Sequence, residues 1–287
     1  MINIKSIKEV FPSITRVPRI LLWDVETAKM LLHVETYSLK QYSSYLRHQD
    51  IVRDIWMLCA AWKWLGDPYI ASTSVLNDPE RFEADYADDF HVISMLHHLV
   101  SQADILVAHN GDNFDWKIFT SRCIVHDLDP PPKPLMIDTL KVARREFKFS
   151  SNSLSYLCRH LGIEDKMEAP NWGAIAKGDA EAIAEAEAYC RGDIRSLEAL
   201  YLKLRPYITN HPNIALMTDG VHHMTCPKCG HWDLKKFGVR EFENEGLSRQ
   251  YVNGFKYTGA GKYQRYKCAG CGGQSYAKKN LKKVELK

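Results

Sequence analysis

RILLWDVET, residues 19–27, is an apolar run of strand length that closes on two acids. Along a strand, side chains at i and i+2 face the same side, so Asp24 and Glu26 project together while Val25 turns into the opposite layer. The preceding apolar residues mark the strand as buried. A buried strand carrying two adjacent carboxylates has to meet a positive group, because an unpaired charge in an apolar setting is costly.

Two later stretches supply acids of the same kind. ILVAHN (105–110) reads as a short buried strand and runs into HNGDNFDW (109–116), which carries Asp115 at the start of a predicted helix, DWKIFTSRCIV (115–125). The Ala-, Glu- and Leu-rich segment 180–204 is the clearest helix in the chain and stops before Pro206. Tyr189 and Asp193 are i and i+4 on it and share one face. Converging carboxylates are hard oxygen ligands suited to Mg²⁺ or Mn²⁺, and a pair of such ions can stabilise the attacking and leaving oxygens of a phosphodiester displaced in line. The acids alone therefore point to a metal-dependent nuclease.

Between these motifs, IVRDIWMLCAAWKWLGD (51–67) and PYIASTSVL (68–76) read as two further strands joined at Gly66-Asp67-Pro68. HVISMLHHLVSQAD (91–104) has helical spacing, LMIDT (135–139) is a short strand, and Ser153 offers an N-cap for the helix that follows it. Strands come first, then helices and strands alternate, which predicts an α/β fold with a mixed sheet. Trp56, Trp62 and Trp64 fit core positions of a buried strand better than a base-stacking platform. Asp138 in IDTL reads as a helix cap and is left outside the metal site.

A chain of 287 residues with 45% hydrophobic content can bury one sizeable core and carry a second small module. No apolar run approaches the ~20 residues of a membrane-spanning helix, and the first residues lack a secretory signal pattern, so no membrane association and a cytoplasmic address are expected. The formal net charge of +3 conceals an asymmetry: residues 220–287 hold 14 Lys and Arg against 5 Asp and Glu, whereas the 219 residues before them hold 24 against 30. A basic module on a mildly acidic body suits an enzyme of nucleic acid with a separate anchoring domain.

Cysteine usage divides at the same place. Cys59, Cys123, Cys158 and Cys190 are scattered singly and read as buried thiols without a chemical role. Cys226-Pro-Lys-Cys229 and Cys268-Ala-Gly-Cys271 form two knuckles, each followed by Gly, which predicts one tetrahedral, structural Zn²⁺ bound by Cys226, Cys229, Cys268 and Cys271. The insert between them is strand-like, so a long β-hairpin is expected there. His222, His223 and His231 are close enough to substitute but are read as spectators, since four sulfurs complete the site. The expected organisation is a lead-in over 1–18, a catalytic domain over 19–210, a linker over 211–221 and a four-cysteine zinc ribbon over 222–287.

DxE on the first strand, NxxxFD from Asn110 to Asp115 and YxxxD from Tyr189 to Asp193, in that order, resemble the three motifs of the DEDD 3′–5′ exonucleases. Tyr189 selects the DEDDy branch, because the histidine branch would place a His where Ala188 stands. AHNGDNFDWKIF is similar to the second motif of family B DNA polymerase proofreading domains, and IDTLKVARREF and Lys166 resemble other family segments. The resemblance, over roughly residues 18–206, implies a ribonuclease H-like mixed sheet flanked by helices. It implies a two-metal hydrolysis of single-stranded DNA from its 3′ end to nucleoside 5′-monophosphates. Asp24 would bridge two Mg²⁺ or Mn²⁺ ions about 4 Å apart, Glu26 and Asp193 would complete the site that activates water, and Asp115 would hold the second metal. Tyr189 would orient the water, and Asn110 and Phe114 would shape the pocket for the terminal nucleotide. The C-terminal motif resembles zinc ribbons of transposases and other nucleic-acid enzymes, with Tyr263, Arg265, Tyr266 and Lys267 available to a bound strand. An RNA exonuclease and a non-catalytic nucleic-acid-binding or recruitment protein are the alternatives, and a polymerase or a replication or repair factor is a conceivable protein partner.

Overall fold

A computed structural model of the chain describes residues 16–34, 46–163, 168–219, 224–236, 255–258 and 261–277. Most of the expected lead-in, Lys166, His222 and His223 lie outside the described residues. The chain divides into two compact units, Arg19–Tyr201 and, separately, Leu202–Lys287 with the segment before Arg19.

In chain order the first unit contains β1 (Ile20–Ala28), β2 (Leu31–Leu32), β3 (Ile51–Arg53), β4 (Trp56–Trp64), β5 (Ala71–Ser74), α1 (Pro79–Ala84), α2 (Phe90–Ser101), β6 (Ile105–Ala108), α3 (Asp115–Val125), β7 (Leu135–Asp138), α4 (Thr139–Glu146), α5 (Leu154–His160), α6 (Trp172–Ile175) and most of α7 (Ala180–Leu204). Five strands form one sheet in the order β5-β4-β1-β6-β7. β1 and β4 are antiparallel, as are β4 and β5, whereas β1, β6 and β7 run parallel. The mixed α/β architecture expected from the sequence is the one observed. β1 is the third of the five strands, and Leu21, Leu22, Trp23 and Val25 are buried on both of its faces. That double burial is why its sequence reads as an unbroken apolar run.

The sequence joins residues 51–64 into one strand, but the structure divides them. Asp54 Oδ1 accepts the next backbone N–H, from Ile55, at 2.7 Å, which interrupts the ladder. Residues 51–53 pair with β2 instead, outside the main sheet. Trp56 lies in the core, while Trp62 and Trp64 are half-buried, with the Arg19 guanidinium 3.9 Å above the Trp64 ring.

Helix boundaries follow their caps. Ser153 accepts the N–H of Tyr156, Asp138 accepts those of Leu140 and Lys141, and Gly162 ends α5 at φ 66°. Asp89 precedes α2 but makes no side-chain cap bond. Its fully buried carboxylate instead accepts Met57 N at 2.8 Å, Arg122 Nε and Nη2 at 2.7 and 2.8 Å, and His126 Nε2 at 2.5 Å. One acid thus ties α2, α3 and β4 together on one side of the sheet.

In the second unit β8 (Leu234–Lys236), β9 (Phe255–Thr258), β10 (Gly261–Cys268) and β11 (Gln274–Tyr276) form a small antiparallel sheet around β10. In its described part the strand-like insert between the cysteine knuckles holds β8, β9 and β10, with β10 pairing antiparallel to both of the others. Within residues 211–219, Ile214 is buried and donates its N–H to the Pro227 carbonyl at 2.8 Å, and Asp219 N–H reaches Arg16 O at 3.1 Å.

Replacing Asp89 by Ala strands the Arg122 guanidinium and a buried N–H. Denaturant unfolding of Asp89→Ala is expected to show a loss of about 3 kcal/mol, as for removal of one partner of a buried ion pair. A loss below ~1 kcal/mol would show that the carboxylate is not the tie between these elements.

Candidate active site

The carboxyl ends of β1, β6 and β7 open on one edge of the sheet, where a cleft of about 510 Å³ lies. Parallel strands commonly present their binding sites at that edge. Asp24 and Glu26 come from the middle and the C-terminal half of β1, and Asp193 comes from the middle of α7. One carboxylate oxygen from each of the three lies within 4.8 Å of the others, a spacing at which one cation can be shared. The strand pair and the helix acid, 167 residues apart at their closest in sequence, are therefore brought together as the sequence reading requires.

α7 is tied across the sheet by polar contacts on both sides of Asp193. Glu198 accepts Lys63 Nζ of β4 at 2.5 Å, and Glu187 accepts Ser72 Oγ of β5 at 2.6 Å and Arg191 Nη1 at 3.2 Å. These ties, with the buried residues Ile183, Ile194, Leu197 and Leu200, fix where Asp193 points.

Asp115 lines the same cleft but stands apart from the three-acid cluster. The turn that delivers it is tightly specified. Asn110 adopts φ 72°, a conformation Asn tolerates better than most residues, and donates its N–H to Asp138 Oδ1 at 2.9 Å. At Gly111 a Cβ would meet Ala108 Cβ at 2.4 Å, so only glycine fits. Phe114 N and Trp116 N then bond back to Asn110 O and Gly111 O, starting α3 with Asp115 in its first turn. Asp115 is 2% exposed and accepts Val25 N–H through Oδ1 at 3.2 Å, a direct link to β1 between the other two acids. Burial, opposed by hydrogen bonds from its own N–H and that of Val25 and aided by the nearby Asp138 charge, pushes its pKa from 3.8 up to about 7.

Of the other expected site residues, Phe114 lines the cleft and is 40% exposed. Asn110 serves the turn, and neither it nor Tyr189 is among the lining residues. Tyr189 is buried one helical turn before Asp193. Asp138 caps α4, as its sequence context indicates.

The far wall was not read from the sequence. His109 lines it, with Nδ1 2.9 Å from Thr139 Oγ1 and Nε2 3.0 Å from the Asn152 carbonyl, and so pins residues 151–153 beside the cleft. Arg144, exposed on α4, brings a guanidinium to the same opening. The signal available was HNG next to the acid motif; the involvement of 144 and 151–153 depends on tertiary folding. Cys190, read from the sequence as a buried thiol without a chemical role, is buried as expected and stands i−3 from Asp193 on the same helix. Burial first, then Cys59, Asp24 and Glu26, hold its pKa well above 9.0, so the thiol keeps its proton.

In the second unit Cys226, Cys229, Cys268 and Cys271 bring their sulfurs within 4.8 Å of one another. The two knuckles repeat one geometry. Gly230 N and Gly272 N bond to the carbonyls of Cys226 and Cys268 at 2.9 and 3.0 Å, and both glycines have positive φ, 75° and 72°. His231 is not part of the sulfur cluster; its Nδ1 accepts Asp233 N–H and its ring stacks on Trp232. Tyr266 is buried and packs the unit, leaving Lys267 exposed beside it.

A family model described as the RNase H superfamily matches residues 53–205, more than half of the chain. The matched stretch includes Asp115, Tyr189 and Asp193 and begins after Asp24 and Glu26. DNA polymerase III PolC-type from Ureaplasma parvum serovar 3 is 33% identical over 85 residues, 30% of this chain and 6% of that protein. The chain thus spans a small fraction of that relative's length. A solved structure of the family B DNA polymerase from the hyperthermophilic archaeon Pyrobaculum calidifontis aligns with a TM-score of 0.47 at 13% identity, over 67% of this chain and 26% of that one. With its mixed sheet, its long final helix and the family match from residue 53 to residue 205, this chain belongs to the RNase H superfamily.

Proposed function

We propose that the protein is a metal-dependent 3′–5′ exonuclease that hydrolyses single-stranded DNA to nucleoside 5′-monophosphates. The observation that carries this reading is the convergence of Asp24, Glu26 and Asp193 at ligand spacing in a cleft that Asp115 also lines. The cluster is all carboxylate, the donor set of Mg²⁺ and Mn²⁺. Asp24, Glu26 and Asp193 would hold one ion, and Asp24 with Asp115 a second. When bound, such ions supply Lewis-acid activation of water and neutralise charge on the leaving oxygen. Phe114 offers an apolar face to the terminal nucleotide, and the Arg144 guanidinium suits a phosphate of the strand. Tyr189 is buried one turn before Asp193 and outside the cleft lining; once its hydroxyl is turned into the site it would orient the attacking water, since a phenol of pKa ~10 is a poor base at neutral pH.

The second unit acts as a substrate anchor built on one structural Zn²⁺. Sulfur separations of 3.7 Å for Cys226–Cys271 and 3.6 Å for Cys229–Cys268 are close to the edge, about 3.8 Å, of a tetrahedron with Zn–S bonds near 2.3 Å. Trp232, 53% exposed, with Lys235, Lys236 and Lys267, offers a stacking face and phosphate-binding charge.

End-labelled single-stranded DNA incubated with the protein and Mg²⁺ or Mn²⁺ is expected to yield mononucleotides, with matched RNA cut more slowly. Asp24→Ala and Asp193→Asn should each reduce kcat by at least ~100-fold, and Tyr189→Phe by less, with metal affinity spared. Mononucleotide release that survives Asp24→Ala would overturn the assignment.

Asp115 links the site to stability. Its folded-state pKa near 7 lies above the unfolded value of 3.8, so the native state holds this proton more tightly. The stabilisation is complete below about 3.8 and is lost as pH rises through 7. Metal-free Asp115→Asn should therefore melt roughly 5 °C above the metal-free wild type at pH 8 and near it at pH 4. Parallel melting curves at both pH values would refute the burial argument.

Elemental analysis of purified protein should find one zinc per chain, falling to none in Cys226→Ser/Cys268→Ser. Zinc retained at full occupancy by that variant would place the metal elsewhere.

A further inference from the structure

Two thiols are buried against the strand and helix that carry the acid cluster. Cys190 of α7 is fully buried, and its Sγ lies 3.4 Å from the Asp24 carbonyl oxygen and 3.6 Å from Asp24 Oδ2. Cys59 of β4 is buried next to it and in hydrogen-bonding contact with it, and pairs by its backbone with Glu26 in the β1–β4 register. Cys190 directly follows Tyr189 and stands i−3 from Asp193, on the same helical face. One thiol therefore touches the strand that supplies two of the acids from the helix that supplies the third.

We propose that Cys190 is a positioning residue for the metal site: its S–H, shared between the carbonyl and the carboxylate of Asp24, fixes that carboxylate's orientation and sets the spacing of α7 from β1. This rests on reading Asp24, Glu26 and Asp193 as cation ligands. Groups that hydrogen-bond to metal ligands orient them and tune their affinity. The contacts at 3.4 and 3.6 Å are of ordinary length for a thiol donor, and its weak donation leaves the carboxylate lone pairs available to a cation. Cys59 completes the device by filling the space behind Cys190, so the thiol cannot swing away from Asp24.

The test is Mn²⁺ binding to the full chain by calorimetry, alongside melting temperature, kcat and KM on a single-stranded oligonucleotide. Cys190→Ala should weaken Mn²⁺ binding about 10-fold and lower kcat at limiting Mn²⁺, with KM for the oligonucleotide unchanged and activity restored by excess Mn²⁺. Cys190→Ser, which retains a donor, should recover at least half of the lost affinity on a logarithmic scale. Wild-type affinity in Cys190→Ala, or equal loss in both variants tracking a fall in melting temperature, would overturn the proposal and reduce Cys190 to packing. The binding measurement needs no turnover. A wild-type protein that binds Mn²⁺ with this Cys190 dependence but cuts no nucleic acid would refute the exonuclease reading alone, and one that binds no Mn²⁺ at millimolar concentration would refute both.

Discussion

Repulsion among like charges is the constraint on which this structure turns. Three carboxylate oxygens held within 4.8 Å of one another, when ionised, repel by about 3 kcal/mol or more per pair at an effective dielectric near 20. A flexible arrangement would relieve this by moving the acids apart. Here they cannot separate. Asp24 and Glu26 ride on β1, flanked in the sheet by β4 and β6, and Asp193 sits on a helix tied to β4 and β5 through Lys63–Glu198 and Ser72–Glu187. The energy of assembling the cluster is taken from burial elsewhere, and a bound cation, as proposed above, would recover it.

Asp115 meets the same constraint differently. It is placed beside the cluster and buried, and that burial favours its protonated form. Asp138 adds to this effect while doing structural work, since it caps α4 and accepts the N–H of Asn110 at the start of the turn that delivers Asp115. The carboxyl end of β7 and the carboxyl end of β6 are thus joined by a single carboxylate. The placement of Asp115 depends on that contact and on the absence of a Cβ at Gly111.

What could be read in advance follows from the range of the forces involved. The apolar run of β1, the period of α7 over 180–204 and the Ser153 cap are local, and the structure has each where the sequence indicates it. The separation of Tyr189 and Asp193 by one helical turn is local too, but whether the phenol reaches the cleft is a matter of helix rotation against the sheet, and Tyr189 lies buried. The break after Arg53 turns on one Asp54 side chain competing with the ladder, which apolar patterning does not register. His109, Arg144 and residues 151–153 meet at the cleft only because β6, α4 and the loop before α5 converge in space. Asp89 is the extreme case, since one acid in an ordinary helix-start context binds groups 32 to 37 residues away.

Each unit carries its own donor chemistry, and that difference sorts metals without geometric exclusion. Oxygen-only carboxylates favour hard ions that keep water in their coordination sphere, whereas four thiolates favour Zn²⁺ by several orders of magnitude. The sulfur cluster is held by two knuckles of matching hydrogen-bond pattern, so zinc affinity there would be coupled to the folding of a small unit. The acid cluster is held by a large sheet and by the ties of α7 to β4 and β5. On the proposed reading, a metal would stabilise structure at the sulfur site and supply chemistry at the carboxylate site. Softness would then decide the destination of each ion, with Zn²⁺ suited to the thiolates and Mg²⁺ or Mn²⁺ to the carboxylates.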